Sequence, residues 1–256
     1  MNAGLSFLPI DGLPEVRPGD DLAALFDATA RRNAELELRH GDVLVIAQKI
    51  VSKSENRYVD LASVEPSGEA RALAQRCLKD PRLVELVLRE STEVLRVAPN
   101  VLIVRHRLGF VVANAAIDQS NLPHGDDRAL LLPADPDASA ATLRMRLEQR
   151  YGVKLAVLIS DSFGRAWRMG VCGVCVGCSG LHSLVDLRGT QDRNGRTLQV
   201  TQIAVADQLC ATATLVCGEA AEGRPAVIVR GVPESYLATT GRARDLVRPL
   251  EQDLFR

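Results

Sequence analysis

Positive charge is not in excess in this 256-residue chain: 31 Lys and Arg stand against 32 Asp and Glu, a formal net charge of −1. No global field therefore draws it to nucleic acid or to an acidic membrane surface. Long apolar runs are missing too. None approaches a membrane span, and the opening MNAGLSFLPIDGLP is interrupted too soon for a secretory signal, so a cytoplasmic location is expected. Nowhere does the chain read G-x-x-x-x-G-K-[ST], and no G-x-G-x-x-G follows a strand, which removes the Walker and Rossmann phosphate loops. No Ser-His-Asp or Cys-His pattern offers a protein nucleophile. The six cysteines, without a secretory signal, read as reduced thiols. What remains is 46% hydrophobic and 25% charged, a globular composition with enough chain for a substantial core in one large unit or two smaller ones.

The stretch that organises the rest is VLISDSFGRAWRMGVCGVCVGCSG, residues 157–180. Residues 155–159 are branched and apolar, the pattern of a buried strand. That strand is expected to stop at Ser160, Asp161 and Ser162, where oxygen-bearing groups can hold a metal or a phosphate. Gly164 then breaks the pattern, and Arg165 and Arg168 flank Trp167. One segment thus offers oxygen ligands for a hard cation and two guanidinium forks for anionic oxygens. Further on, Cys172, Cys175 and Cys178 resemble part of an iron–sulfur or zinc framework. No fourth ligand lies nearby, and the intervening residues are small and apolar, so packing in a Gly-rich strand accounts for them equally well.

Other segments could complete the site. Residues 6–14 read as a short strand running into a turn at Gly12 and Pro14. Residues 18–21 start a helix that Asp20 or Asp21 can cap. Residues 43–47 form an apolar strand covered on both faces, and Gln48, Lys49 and Lys53 follow where it runs out. Two helices are expected over 67–80 and 81–96, with Pro81 in the first turn of the second. Residues 101–106 and 109–113 read as a hairpin; His106 shows no partner in the sequence. Asp118 stands between an apolar strand and a Ser/Asn-rich loop, as a metal ligand or as an Asx-turn. A loop follows, and Asp137 or Ser139 can cap the helix after it. Residues 192–195 form a turn. The helix over 202–220 ends in an acidic, Gly-flanked loop that leads into the strand AVIVRG. In that loop Glu219 is the candidate carboxylate and Glu222 a solvated or competing one. The C-terminal residues read as helical.

Asp118, Asp161, Ser162 and Glu219 all lie where apolar segments meet loops, and such oxygen ligands favour Mg²⁺ or Mn²⁺ over zinc. With Lys49, Lys53, Arg165 and Arg168 as phosphate partners, the pattern points to nucleotide-dependent chemistry. The residues alone leave open where a phosphoryl group would go, and they contain no base-reading residue that tells GTP from ATP.

The motifs DGLPEVRPGDDL, GDVLVIAQKIVSK, NAAIDQSN, LLLPADPDASA, ISDSFGRAWRMGVCGV, VDLRG, GRTLQVT, VADQL and GEAAEGRPAVIVRG occur in the order found in the F420-0:gamma-glutamyl ligase family. The resemblance spans nearly the whole chain. It implies a mixed α/β fold, a single ligase unit over residues 1–256 in two intertwined subdomains, and a homodimer. The implied activity is GTP-dependent addition of L-glutamate to coenzyme F420-0, first at the terminal carboxylate and then through γ-carboxyl groups, with divalent metal at two sites and K⁺ as a further cation. Matched position by position, Asp11, Gly12, Leu13, Pro14, Gln48, Lys49, Lys53 and Asn121 contact GTP. Cys217, Gly218, Glu219, Ala220, Ala221, Glu222, Gly223 and Arg224 wrap it. Asp118 and Asp161 match ligands of one metal, Ser162 and Glu219 those of the other. Arg165 and Arg168 could steady the transferred phosphoryl group. Ala116 stands where the family has glycine, and the three clustered cysteines replace small apolar residues. Two alternatives differ from this reading: a ligase acting on another acid, and a redox or metal protein built on the cysteines.

Overall fold

The computed structural model describes residues 4–120 and 127–254, so Asn121 lies outside the described residues. Ser6–Pro9 forms β1 and Leu22–Ala30 forms α1. Asp21 caps α1 by accepting the Ala24 N–H at 3.2 Å. Val43–Ala47 is β2, and Gln48–Ser54 follows at once as α2. The sequence pattern had only a strand running out here. Ala47 supplies no side-chain cap, so this helix start leaves no mark in the sequence.

Tyr58–Asp60 is β3, Gly68–Cys77 is α3 and Pro81–Arg89 is α4. The helix expected over 81–96 is therefore too long: its last residues belong to Ser91–Ala98, β4. β4 pairs antiparallel with Val101–His106, β5, over two irregularities in register, and β5 pairs with Val111–Ala113, β6, as the expected hairpin. Arg128–Leu130, β7, pairs with β3 inside the stretch read as loop. Helix α5, Pro136–Tyr151, begins earlier than expected and is capped by Asp135, whose Oδ1 accepts the Ala138 N–H at 3.0 Å, and not by Asp137 or Ser139.

Ala156–Arg165 is β8 and Arg168–Ser179 is β9, so β8 does not stop at Ser160 but continues for five more residues, paired with β9. Val185–Asp186 (β10) pairs with Gln202–Ile203 (β11), enclosing the expected turn at Asp192, whose carbonyl accepts the Gly195 N–H at 3.0 Å. Val205–Cys217 is α6 and Ala226–Arg230 is β12. The C-terminal region is not one helix; Glu234–Tyr236, Ala243–Leu246 and Leu250–Gln252 are short 3₁₀ turns.

The main sheet has the order β1-β12-β2-β8-β9, with β2 and β8 parallel and the other neighbours antiparallel. Its residues alternate between two cores. Leu44, Ile46, Val157, Ile159 and Phe163 face α1 and α5, against Phe26, Leu143 and Leu147. Val43, Val45, Ala156 and Leu158 face α6, against Ala206, Leu209, Cys210 and Ala213. This is the period-two pattern of a strand buried on both faces. At Gly173 the approach of β9 to α6 requires glycine: an added Cβ would overlap the Thr214 hydroxyl. β9 is an edge strand, and carboxylates satisfy two of its N–H groups: Asp207 accepts from Cys175 at 2.9 Å and Asp137 from Cys178 at 2.8 Å. A separate cluster, including Leu73, Ala74, Val84, Val87, Leu102 and Val104, packs α3 and α4 on the sheet of β4, β5 and β6.

Candidate functional site

Where β2 gives way to α2, its neighbour β8 runs on. A cleft of about 930 Å³ opens at that point, walled by the start of α2, the outer half of β8, the 113–120 loop and the 217–225 loop. Gln48, Lys49, Lys53, Leu13, Pro14, Asp118, Asp161, Ser162, Cys217, Gly218, Glu219, Ala220, Glu222, Gly223 and Arg224 all line it. Asp11 does not, but its Oδ1 accepts a hydrogen bond from Arg224 Nε at 2.7 Å, tying the 11–14 turn to the 217–224 loop. Gly12 and Ala221 are likewise outside the wall. Arg165 and Arg168 are not brought in. They sit exposed at the tip of the β8–β9 hairpin, where Trp167 takes a φ of 65° and the Arg165 guanidinium donates to the Met169 carbonyl at 3.3 Å.

Lys49 Nζ lies 2.6 Å from Asp118 Oδ2 and donates to Ser120 Oγ at 3.0 Å. Ser120 in turn donates to Asp118 Oδ1 through both its N–H and its hydroxyl, each at 2.7 Å. That is the Asx-turn geometry, and it leaves the carboxylate fixed at the cleft. Lys53, nearly buried, pairs with Glu15 at 3.6 Å. Gln48 is buried and accepts from Ser52 at 2.8 Å. Ser162 Oγ donates to Glu219 Oε1 at 2.7 Å, joining strand to loop. Glu222 turns away from the acids: its Oε2 accepts the Ala220 N–H at 2.8 Å, which holds its pKa down. Its carboxyl lies over Gly218, where φ is 79° and a Cβ would collide with it.

Burial drives the Asp161 carboxyl up to about 6; the charges of Asp118 and Glu219 raise it further, while the Ser162 N–H and Lys49 oppose the rise. Three carboxylates thus crowd one another with Lys49 as a partial counter-charge. Ser160, 8% exposed and lining the same cleft, has a buried hydroxyl with no hydrogen-bond partner. Among the described residues no three His, Cys, Asp or Glu side chains already form a coordination cage. The donor set nevertheless fits a hard divalent cation: its oxygens are anionic or hydroxylic, they repel one another, and one is unsatisfied. Ser120 and Glu15 were not legible as site residues, whereas Ser160 was among the oxygen-bearing candidates. Ser160 sat in the S-D-S triplet, but nothing in the sequence marked its hydroxyl as unpartnered.

The cysteines read as packing. Cys175 and Cys178 are buried, their thiols donating to the carbonyls of Gly177 and Leu181 at 3.3 and 3.5 Å. Burial pushes the Cys175 thiol well above its ordinary range, and neighbouring Cys178 and Cys210 add to it. A thiol so placed is a poor ligand. His106, unpartnered in the sequence, is fully buried. Its Nδ1 accepts the Leu108 N–H at 3.0 Å and its Nε2 faces Glu90 at 3.5 Å.

The profile of the family described as F420-0:Gamma-glutamyl ligase matches residues 12–231. The chain is 46% identical over 253 residues to the coenzyme F420:L-glutamate ligase of Methanothermobacter thermautotrophicus, covering 99% of each chain. It is 45% identical over 258 residues to the enzyme of that name from Methanopyrus kandleri, again covering 99% of each. Against the one from Natronomonas pharaonis identity is 47% over 229 residues, 87% of this chain and 85% of the relative.

Proposed function

The chain belongs to the F420-0:gamma-glutamyl ligase family, and from that premise we propose that it joins L-glutamate to coenzyme F420-0 with GTP as the activating co-substrate. It is a ligase of coenzyme F420 assembly. A carboxylate does not condense with an amine at neutral pH, so it must first be activated. In the proposed course, the terminal carboxylate of F420-0 attacks the γ-phosphate of GTP, GDP leaves, and the glutamate amine then displaces phosphate from the acyl phosphate. Later rounds extend the product through γ-carboxyl groups.

The residues divide this work. Lys49 and Lys53 supply positive charge along one wall of the cleft for the triphosphate. Asp118 and Asp161 would hold one divalent cation, Ser162 and Glu219 the second. Bound Mg²⁺ or Mn²⁺ would neutralise phosphate charge and favour in-line displacement. Asp161, with a pKa of about 6, is largely ionised at pH 7 and so available as a ligand. The Arg224–Asp11 pair holds the 217–224 loop against the 11–14 turn, where the loop would cover the nucleotide. We further take the protein to be a cytoplasmic homodimer that uses K⁺ as an additional cation. No helix among the described residues is long and apolar enough to cross a membrane.

The observation that carries the reading is the meeting of Asp118, Asp161, Ser162 and Glu219 with Lys49 and Lys53 in one cleft. The test is incubation of purified protein with F420-0, L-glutamate, GTP and Mn²⁺, followed by mass spectrometry. A product heavier by one or more glutamyl units, with GDP released, is expected. No product and intact GTP would refute it.

A further inference from the structure

A smaller pocket shares Phe163 with the cleft, and the chemistry described so far leaves it unused. It encloses about 270 Å³ between the β5–β6 hairpin, the edge of β9 and the chain over 246–253. Val174, in its wall, is the register partner of Asp161. Antiparallel partners stand about 5 Å apart, so the pocket begins one strand away from the proposed metal ligands. Gly109 lets the 246–253 chain cross the hairpin. Its φ is 96°, and an added Cβ would meet Val247 at 3.0 Å.

The polar groups of this pocket are charged and incompletely paired. Arg105, 9% exposed, reaches Glu93 through Nε at 3.3 Å. Its Nη2 is buried without a hydrogen bond, and the carboxylate that faces it, Asp253, stays 3.6 Å away. A buried guanidinium N–H without an acceptor is unfavourable, so a carboxylate seated closer than Asp253 would match the site better. Arg248 is exposed, and among the described residues it has no ion pair. Asp207 accepts the Cys175 N–H through Oδ1 at 2.9 Å, and its other oxygen has no hydrogen-bond partner among the described residues. Arg105 and Asp207 are fixed on β5 and α6, whereas Asp253 follows the exposed Leu250–Gln252 turn. With Asp253 withdrawn, the pocket offers two guanidiniums and one carboxylate. That is the complement of an amino acid with two carboxylates and one ammonium group.

We infer that this pocket binds L-glutamate, with Arg105 on the α-carboxylate, Arg248 on the side-chain carboxylate and Asp207 on the amino group, and that Asp253 holds the Arg105 position in its absence. The inference rests on the ligase reading and locates the amino-acid substrate of that reaction. L-Glutamine, without the second carboxylate, loses the charge-assisted bond to Arg248. Asp253 competes with the substrate for Arg105.

The test is steady-state ligation by the full chain with F420-0, GTP and Mn²⁺, read by mass spectrometry, with L-glutamate varied and L-glutamine added as competitor. Arg248→Gln should raise the KM for L-glutamate about tenfold and leave the KM for GTP where it was. It should also cut the discrimination between glutamate and glutamine about tenfold, which a merely structural arginine would not do. Asp253→Asn should act in the other direction, lowering the KM for L-glutamate severalfold, because the competing charge is gone. Unaltered discrimination in Arg248→Gln, or a KM in Asp253→Asn equal to or above that of wild type, overturns the inference and leaves the ligase reading standing. A wild type that forms no product overturns both.

Discussion

Removing the charge of Asp161 should make the metal-free protein more stable while abolishing its activity. Moving a carboxyl from its ordinary 3.8 to about 6 corresponds to about 3 kcal/mol of penalty on the ionised form in the folded state. The sign follows from the raised value. Stability is full below pH 4, where the carboxyl is protonated in both states, and is lost as pH rises through 6. Asp161→Asn keeps the acceptor for the Ser162 N–H, 2.9 Å away, and removes the charge. In EDTA at pH 7.5 the variant should therefore exceed wild type by up to about 3 kcal/mol, and the gap should close toward pH 4. Urea denaturation at the two pH values measures both. Added Mn²⁺ should stabilise wild type and not the variant, since binding to the folded state alone raises stability. A variant less stable than wild type at pH 7.5 in EDTA, or a gap independent of pH, would show that Asp161 is not held as a strained anion awaiting a cation.

Elsewhere the effect has the opposite sign. Burial works against the Glu90 carboxylate, but His106, Arg107 and Arg57 outweigh it and hold the pKa at about 2. Glu90→Gln should then cost about 3 kcal/mol at neutral pH, with the difference from wild type disappearing as pH falls from 4.5 toward 2, read by thermal or urea melts. Ala116, at a φ of 54°, occupies the left-handed region that favours glycine. Ala116→Gly should gain about 1 kcal/mol in the same melts. Arg224→Ala breaks an exposed pair and should change stability by less than about 1 kcal/mol. On the proposed nucleotide reading it should nonetheless raise the KM for GTP about tenfold with little change in kcat, because the 217–224 loop loses its tether to the 11–14 turn.

What could be read from the sequence divides along physical lines. β2, the β5–β6 hairpin, the Asp192 turn and the course of α6 were legible because burial pattern and turn chemistry are local. The start of α2 was not, because Ala47 caps it with no side chain. The start of β4 reads as helix because Leu83, Val84, Val87 and Leu88 set a helical stripe and nothing local stops the pattern before residue 96. The chain leaves the helix at Glu90, whose carboxylate is held by Arg107 at 2.9 Å and Arg57 at 3.5 Å, contacts that only the fold supplies. Lys49 and Ser120 are 71 residues apart, so their contact is equally invisible in sequence. Arg165 and Arg168, whose spacing around Trp167 suggests a pair of anion forks, are carried by the hairpin turn to an exposed tip outside the cleft wall, a placement set by the β8–β9 pairing and not by their spacing.

The expected end of β8 at Ser160 is the misreading that explains the site. Along β2 and β8 the pairing ends at Ala47 opposite Ser160, because the chain turns into α2. β12 begins at Ala226, whose partner is Ile46, so the 217–225 loop arrives at the same level, the Pro225 carbonyl accepting the Ala47 N–H at 2.8 Å. β8 continues past both, paired with β9. Its outer half therefore borders the space that β2 vacates, at the carboxyl end of a parallel pair, where open α/β sheets place their ligands. Strand alternation then distributes the donors. Asp161 shares the face of Phe163, toward the loop of Asp118; Ser160 and Ser162 share the face of α6, toward Glu219. A strand that stopped at Ser160 would leave Asp161 and Ser162 without the pairing to β9 that sets them on opposite faces beside this cleft.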